Sequence, residues 1–199
     1  MAKRPSALIA PNDRTLGSPS DREVVNLEQY APAYFTWIAN KLANGASKAY
    51  RAVFGVGIET WRVLVLLAIE PNMTAQAICK IIGMDKASVS RTLKSMQTSG
   101  LVSIGLDARD GRYRVATITR KGRELHDGIL SIALERERAL LSALDKAERT
   151  ALLGMLRRLH ENLPVVERCT GEFIAANFAP PNRPRKTPAT AARKATKAA

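Results

Sequence analysis

Apolar positions recur at helical spacing along most of this chain, and one stretch breaks the rhythm. Tyr34, Trp37, Ile38 and Leu42 share a face with Lys41 at its margin, which predicts a helix over about residues 32–52. Pro32 suits its first turn, where a missing N–H costs nothing. Phe54-Gly55-Val56-Gly57 interrupts it, and a second helix is expected over about 59–69, closed by Glu70-Pro71-Asn72. Met73 is expected as a one-residue strand. Thr74 then caps a short helix that Gly83 ends, and Asp85 caps the next. There Val89, Thr92, Leu93 and Met96 fall on one face, with Ala87, Ser90, Arg91 and Lys94 roughly opposite. Ser99-Gly100 stops that helix.

The period then becomes strand-like. Residues 101–106 and 114–119 are short runs rich in β-branched side chains, and Asp110-Gly111 between them is a strong turn signal. Helical spacing returns after Gly122. Leu125, Ile129, Ile132, Ala133, Ala139 and Leu140 trace a stripe to about residue 144, interrupted by Arg136. Asp145 and Glu148 have capping-box spacing. They open a last helix with Leu152, Leu153, Leu156, Leu159 and Leu163 on its stripe, which Pro164 interrupts or ends.

Helix, turn, helix, strand, hairpin, strand over residues 74–122 is the order of a winged helix-turn-helix, so the fold class is mostly α with a small β-wing. A half-polar helix or a charged hairpin is commonplace by itself; the two in consecutive order are harder to reach by chance. The second helix has the composition of a DNA-reading element. Small Ala87 lets backbone sink into the major groove, and longer side chains reach outward. Ser88, Ser90 and Arg91 are the candidates for base edges, Arg91 being best suited to guanine. Lys86 and Lys94 are the candidates for phosphates. In the wing, Arg109, Arg112 and Arg114 are placed to enter a minor groove, where negative potential concentrates. Asp110 is expected to orient an arginine rather than touch DNA.

Charge agrees with that placement. The 199 residues hold 31 Lys and Arg against 18 Asp and Glu, a net charge of +13 that calls for a polyanionic partner. Residues 74–123 carry ten basic side chains against three acidic ones, a net of +7. Six more lie in the Pro/Ala/Lys-rich segment 179–199, where Arg183-Pro184-Arg185 lacks the glycine that lets minor-groove hooks lie deep. We therefore expect a flexible arm over 1–22, one domain over 23–168 with its DNA-reading part at 58–122, and a basic tail over 169–199.

Other chemistry finds little support. Two cysteines make no disulfide scaffold; Cys79 is expected in the core and Cys169 after the last long helix. His126 and His160 lie far apart and no Cys-x-x-Cys occurs, so no metal and no cofactor are expected. No phosphate-binding glycine loop, nucleophile motif or convergent carboxylate pair points to an enzyme. The longest apolar run, 63–69, is too short for a membrane span, and no secretory signal is visible. A cytoplasmic, nucleoid-associated protein is expected.

The reading segment resembles the multiple-antibiotic-resistance regulator (MarR) family. The matching residues are Asp85-Lys86-Ala87-Ser88-Val89-Ser90-Arg91, Ser99-Gly100-Leu101-Val102, Asp107-x-Arg109-Asp110-x-Arg112 and Ile118-Thr119-x-x-Gly122, with Thr60-Trp61-Arg62-Val63-Leu64 upstream. The likeness spans roughly residues 31–167. It implies a homodimer on double-stranded DNA, released by a small-molecule effector such as a phenolic or aromatic acid or its coenzyme A thioester. Long amphipathic helices beyond a small winged domain also call for a second copy to cover them. Seven of the ten aromatic residues fall within 30–61, where most would fill core. The family's effector site lies in that region, so Tyr34, Trp37, Tyr50 and Trp61 are candidate walls, with Arg51, Arg62 or His126 as carboxylate partners. The rival expectation is an architectural protein that coats DNA through its charge and basic tail.

Overall fold

The computed structural model describes residues 25–108 and 110–178. The expected arm over 1–22, Arg109 and the segment 179–199 lie outside the described residues. Two compact units divide the chain, one ending at Arg136 and the other beginning at Glu137.

In the first unit, α1 (Ala31–Phe54) starts with Pro32 in its first turn and ends where Gly55 takes a left-handed conformation, donating its N–H to Arg51 O. A β-carbon would strain that backbone, so glycine sets the stop. The helix α2 (Ile58–Ile69) departs at 84° from α1, and Ser47 Oγ on α1 accepts the Ile58 N–H at 3.1 Å. Next come β1 (Met73–Thr74) and α3 (Ala75–Ile82), with the Thr74 side chain capping α3 by accepting the Ala77 N–H. The order continues with α4 (Lys86–Thr98), β2 (Val102–Leu106), β3 (Arg114–Ile118) and α5 (Arg120–Leu140). The sheet runs β1-β3-β2, all antiparallel, pairing Met73 with Ala116 and Val102 with Ile118. It is a winged helix-turn-helix.

Leu64, Leu67, Ile78, Val89 and Met96 form a core under the reader, closed by Leu101, Val102 and Ala116 from the sheet. Each fully buried Leu or Ile contributes about 1.5–3 kcal/mol relative to exposure. A second cluster of Ala46, Tyr50 and Ile129 joins α1 to α5.

In the second unit, a 3-10 turn at Leu141–Ala143 precedes α6 (Lys146–Glu161), whose capping box is complete: Asp145 accepts the Glu148 N–H, and Glu148 accepts the Asp145 N–H. Pro164 does not end helical structure. It sits in the first turn of α7 (Leu163–Asn177), a position where its ring and missing N–H are tolerated. Cys169 is therefore inside a helix, and helix runs nine residues into the stretch expected as tail. Among the described residues, no single helix is long and apolar enough to cross a membrane.

Candidate nucleic-acid interface

The exposed face of α4 is built by its cap. Asp85 Oδ1 accepts the Ser88 N–H at 2.9 Å, and Ser88 Oγ in turn accepts from the Arg91 guanidinium at 2.9 Å. Val89, Leu93 and Met96 point into the core, so Lys86, Ala87, Ser90, Arg91 and Lys94 are left outward on a helix that cannot rotate. Hydrogen bonding from the Ser88 side chain and backbone holds the Asp85 carboxyl below its ordinary range. A carboxyl lowered in the folded state adds stability above its unfolded pKa and loses it as pH falls through the folded one. Wild type should therefore lose thermal stability below about pH 4 more steeply than Asp85→Asn. Parallel acid limbs in a melting series from pH 6 to pH 2.5 would sink the cap's electrostatic part.

At the wing, the Asp110 carboxylate accepts from one edge of the Arg112 guanidinium, Nε at 3.0 Å and Nη2 at 2.8 Å, and also accepts the Arg112 N–H at 3.1 Å. Hydrogen bonding from the Arg112 side chain, and then from its backbone, holds the Asp110 carboxyl below its ordinary range. The arginine side chain nevertheless stays 85% exposed. The carboxylate holds the Nε–Nη2 edge, and among the described residues no bond is made by Nη1. Between α4 and the wing runs a concavity of about 210 Å³ with Ser90, Lys94 and Gln97 on one wall and Ile104 and Arg114 on the other. Lys94 and Arg114 thus line one trough.

Sequence reasoning missed what holds this apparatus still. Thr119 Oγ1 donates to Gly100 O at 2.7 Å and accepts the Gly122 N–H at 3.0 Å. Lys121 Nζ donates to Ser99 O at 2.9 Å, at the carbonyl end of α4, where a cation is favoured. Arg123 reaches Ala68 O at the end of α2. These residues looked like a motif boundary in the sequence; only spatial proximity shows them as a clamp.

The aromatic candidates separate into two groups. Tyr50, Trp61 and His126 come together: Trp61 stacks on His126 at 5.3 Å and meets Tyr50 edge-on at 6.1 Å. Asp127 Oδ1 lies 2.8 Å from His126 Nδ1. Burial pushes the Tyr50 hydroxyl pKa up, partly offset by the Arg136 charge. Tyr34 and Trp37 pair with each other at 5.7 Å. They sit on an exposed face about four helical turns up α1 from Tyr50, so they do not share its site within one chain. Arg51 lies against Gly57, beside the Glu59 carboxylate, and Arg62 is half-buried on α2.

Residues 54–112 match the model of the MarR family. A MarR/EmrR family transcriptional regulator from Acinetobacter sp. ADP1 is 32% identical, with 70% of this chain covering 99% of that one at a TM-score of 0.66. The HTH-type transcriptional regulator YdgJ of Bacillus subtilis is 28% identical over 121 residues, 59% of this chain and 72% of its own. Bordetella bronchiseptica BpsR, whose DNA binding is regulated by 6-hydroxynicotinic acid, is 17% identical; 69% of this chain covers 98% of its structure at a TM-score of 0.61.

Proposed function

We propose, from the premise that this chain belongs to the MarR family of transcriptional regulators, that it is a dimeric, ligand-responsive repressor of a pseudo-palindromic operator. The observation that carries this reading is an outward basic face on α4 beside a wing whose Arg112 is pre-aimed by Asp110. Each copy would lay α4 in the major groove and reach the adjoining minor groove with Arg112, half-sites falling about one helical turn apart. Arg91, Ser88 and Ser90 would read bases; Lys86, Lys94 and Arg114 would fix register on phosphates. Arg109 belongs to the same wing by sequence. A cytoplasmic, nucleoid-bound location follows from this role.

The proposed effector is an aromatic acid or its coenzyme A thioester, the acid class to which BpsR's 6-hydroxynicotinic acid belongs. Tyr50, Trp61 and His126, packed together with Tyr50 and His126 buried, are the aromatic groups it would have to part to bind, and Arg51 or Arg62 would supply the positive charge. The effector would favour a spacing of the two readers that misses successive grooves. A hundredfold preference for that state corresponds to about 2.7 kcal/mol of coupling, within the usual allosteric range.

Selection of bound sequences from random duplexes at about 0.15 M salt, where charge-only binding is weakened, should enrich an inverted repeat. Recovery of unenriched DNA would sink the regulator reading in favour of charge-driven coating. On the selected site, Arg91→Ala should relax preference at one base pair per half-site, roughly a tenfold loss of discrimination there. An equal loss on every sequence would make Arg91 a phosphate contact.

A further inference from the structure

We infer that Ser88 is a positioning residue whose hydroxyl sets the aim of Arg91, so that its part in base reading is exerted through that arginine; this rests on the base-reading role proposed above. Ser88 is half-buried, whereas its neighbours Ala87, Ser90, Arg91 and Lys94 are exposed. A hydroxyl set back from the surface is poorly placed to meet a base edge. It is well placed to hold a longer side chain that passes over it.

Helix geometry brings the two side chains together. Residues three apart stand about 60° apart around the axis and about 4.5 Å apart along it. Long side chains lean toward the start of their helix, over the preceding turn. Arg91 therefore lies across the turn that carries Ser88, and its Nη2 donates to Ser88 Oγ at 2.9 Å. The turn beneath is itself fixed, because the Asp85 carboxylate accepts the Ser88 N–H at 2.9 Å. Hydrogen bonding from the Ser88 side chain is also the first cause of the lowered Asp85 pKa. The hydroxyl thus turns its hydrogen to the acid and a lone pair to the arginine, which leaves it no donor for a base. Ser90 differs: it is exposed and lines the trough beside the wing.

Aim matters for this contact. An arginine reads guanine through paired N–H bonds, so its guanidinium must lie in the plane of the base. A free arginine explores many rotamers, and giving them up on binding weakens the contact. The bond to Ser88 removes part of that search before DNA arrives. It occupies a single donor and leaves the other guanidinium N–H groups for the base.

The test is affinity measured base pair by base pair on the selected operator, with the full-length chain at about 0.15 M salt. Ser88→Ala keeps the N–H that Asp85 caps and removes only the hydroxyl, so it should melt as wild type does. It should lose about threefold in discrimination, the worth of one exposed hydrogen bond, at the base pair that Arg91→Ala relaxes. Added to the Arg91→Ala chain it should change nothing further, because the group it acts through is gone. Ser88→Thr, which keeps a hydroxyl, should retain wild-type preference. Relaxation at a different base pair, or a further loss in the double variant, would show Ser88 touching DNA itself and overturn the inference. Full wild-type preference in Ser88→Ala would overturn it as well. An equal loss on every sequence from Arg91→Ala would be a separate failure, removing the base-reading premise and this inference with it.

Discussion

Gly122→Ala should lower stability by about 3 kcal/mol, at the upper end for overpacking. An added β-carbon would collide with Leu101 O and stand 2.9 Å from Ile118 Cγ1. The first of these is a backbone carbonyl that already accepts the Thr119 N–H at 3.1 Å, so it cannot retreat without breaking the turn into α5. At this chain length the cost corresponds to a fall of about 6–12 °C in melting temperature. Gly111→Ala is the matched control: its β-carbon would meet no atom within 4 Å and should leave stability within about 0.5 kcal/mol of wild type. Equal melting temperatures for the two variants would show that the α5 start tolerates a side chain.

On the selected operator, Arg112→Ala should cost roughly a hundredfold in affinity at about 0.15 M salt, about tenfold for each of two wings. The variant should melt as wild type does, because the Arg112 side chain is mostly exposed and pairs with a wing residue, Asp110. The salt dependence of binding should flatten by about one lost contact per wing. Asp110→Ala separates charge from aim. It keeps the arginine but removes three hydrogen bonds from its side chain and one from its N–H. If orientation matters, Asp110→Ala should weaken specific binding despite making the protein more positive. Tighter binding by this variant would mean that Asp110 merely repels phosphate. Unchanged affinity of Arg112→Ala would remove the wing from the interface.

Much of the reader was legible because local chemistry decides it. Asp85 and Thr74 sit where helices must begin, Gly55 and Gly83 where they end, and both glycines take the left-handed conformation that a helix stop uses. The face of α4 followed from period alone, since burial of Val89, Leu93 and Met96 fixes what remains outside. Pro164 misled because the same residue breaks a helix interior and suits a helix start; which applies depends on whether the next turn finds partners. The clamp at Thr119 and Lys121 joins groups some twenty residues apart, and no spacing announces it. The aromatic candidates were grouped by nearness in sequence, whereas α1 is long enough to carry Tyr34 and Tyr50 to different surroundings.

Lys121 and Thr119 grip only the carbonyl end of α4, at Ser99 and Gly100. Val89 and Leu93 hold its other turns to the core, so a tilt at that grip would carry α4 and the core beneath it as one body. Its 13 residues span about 20 Å, and Lys86 to Arg91, the proposed DNA contacts, occupy the far tip. A tilt of about 10° in the first turn of α5 would sweep that tip by about 3 Å, a whole hydrogen-bond length. A change at the base of α5 too small to break any contact there would thus move every proposed DNA contact on α4 by a hydrogen-bond length. The gain is set by helix length, so the regulator needs no rearrangement inside its reader to let go of DNA.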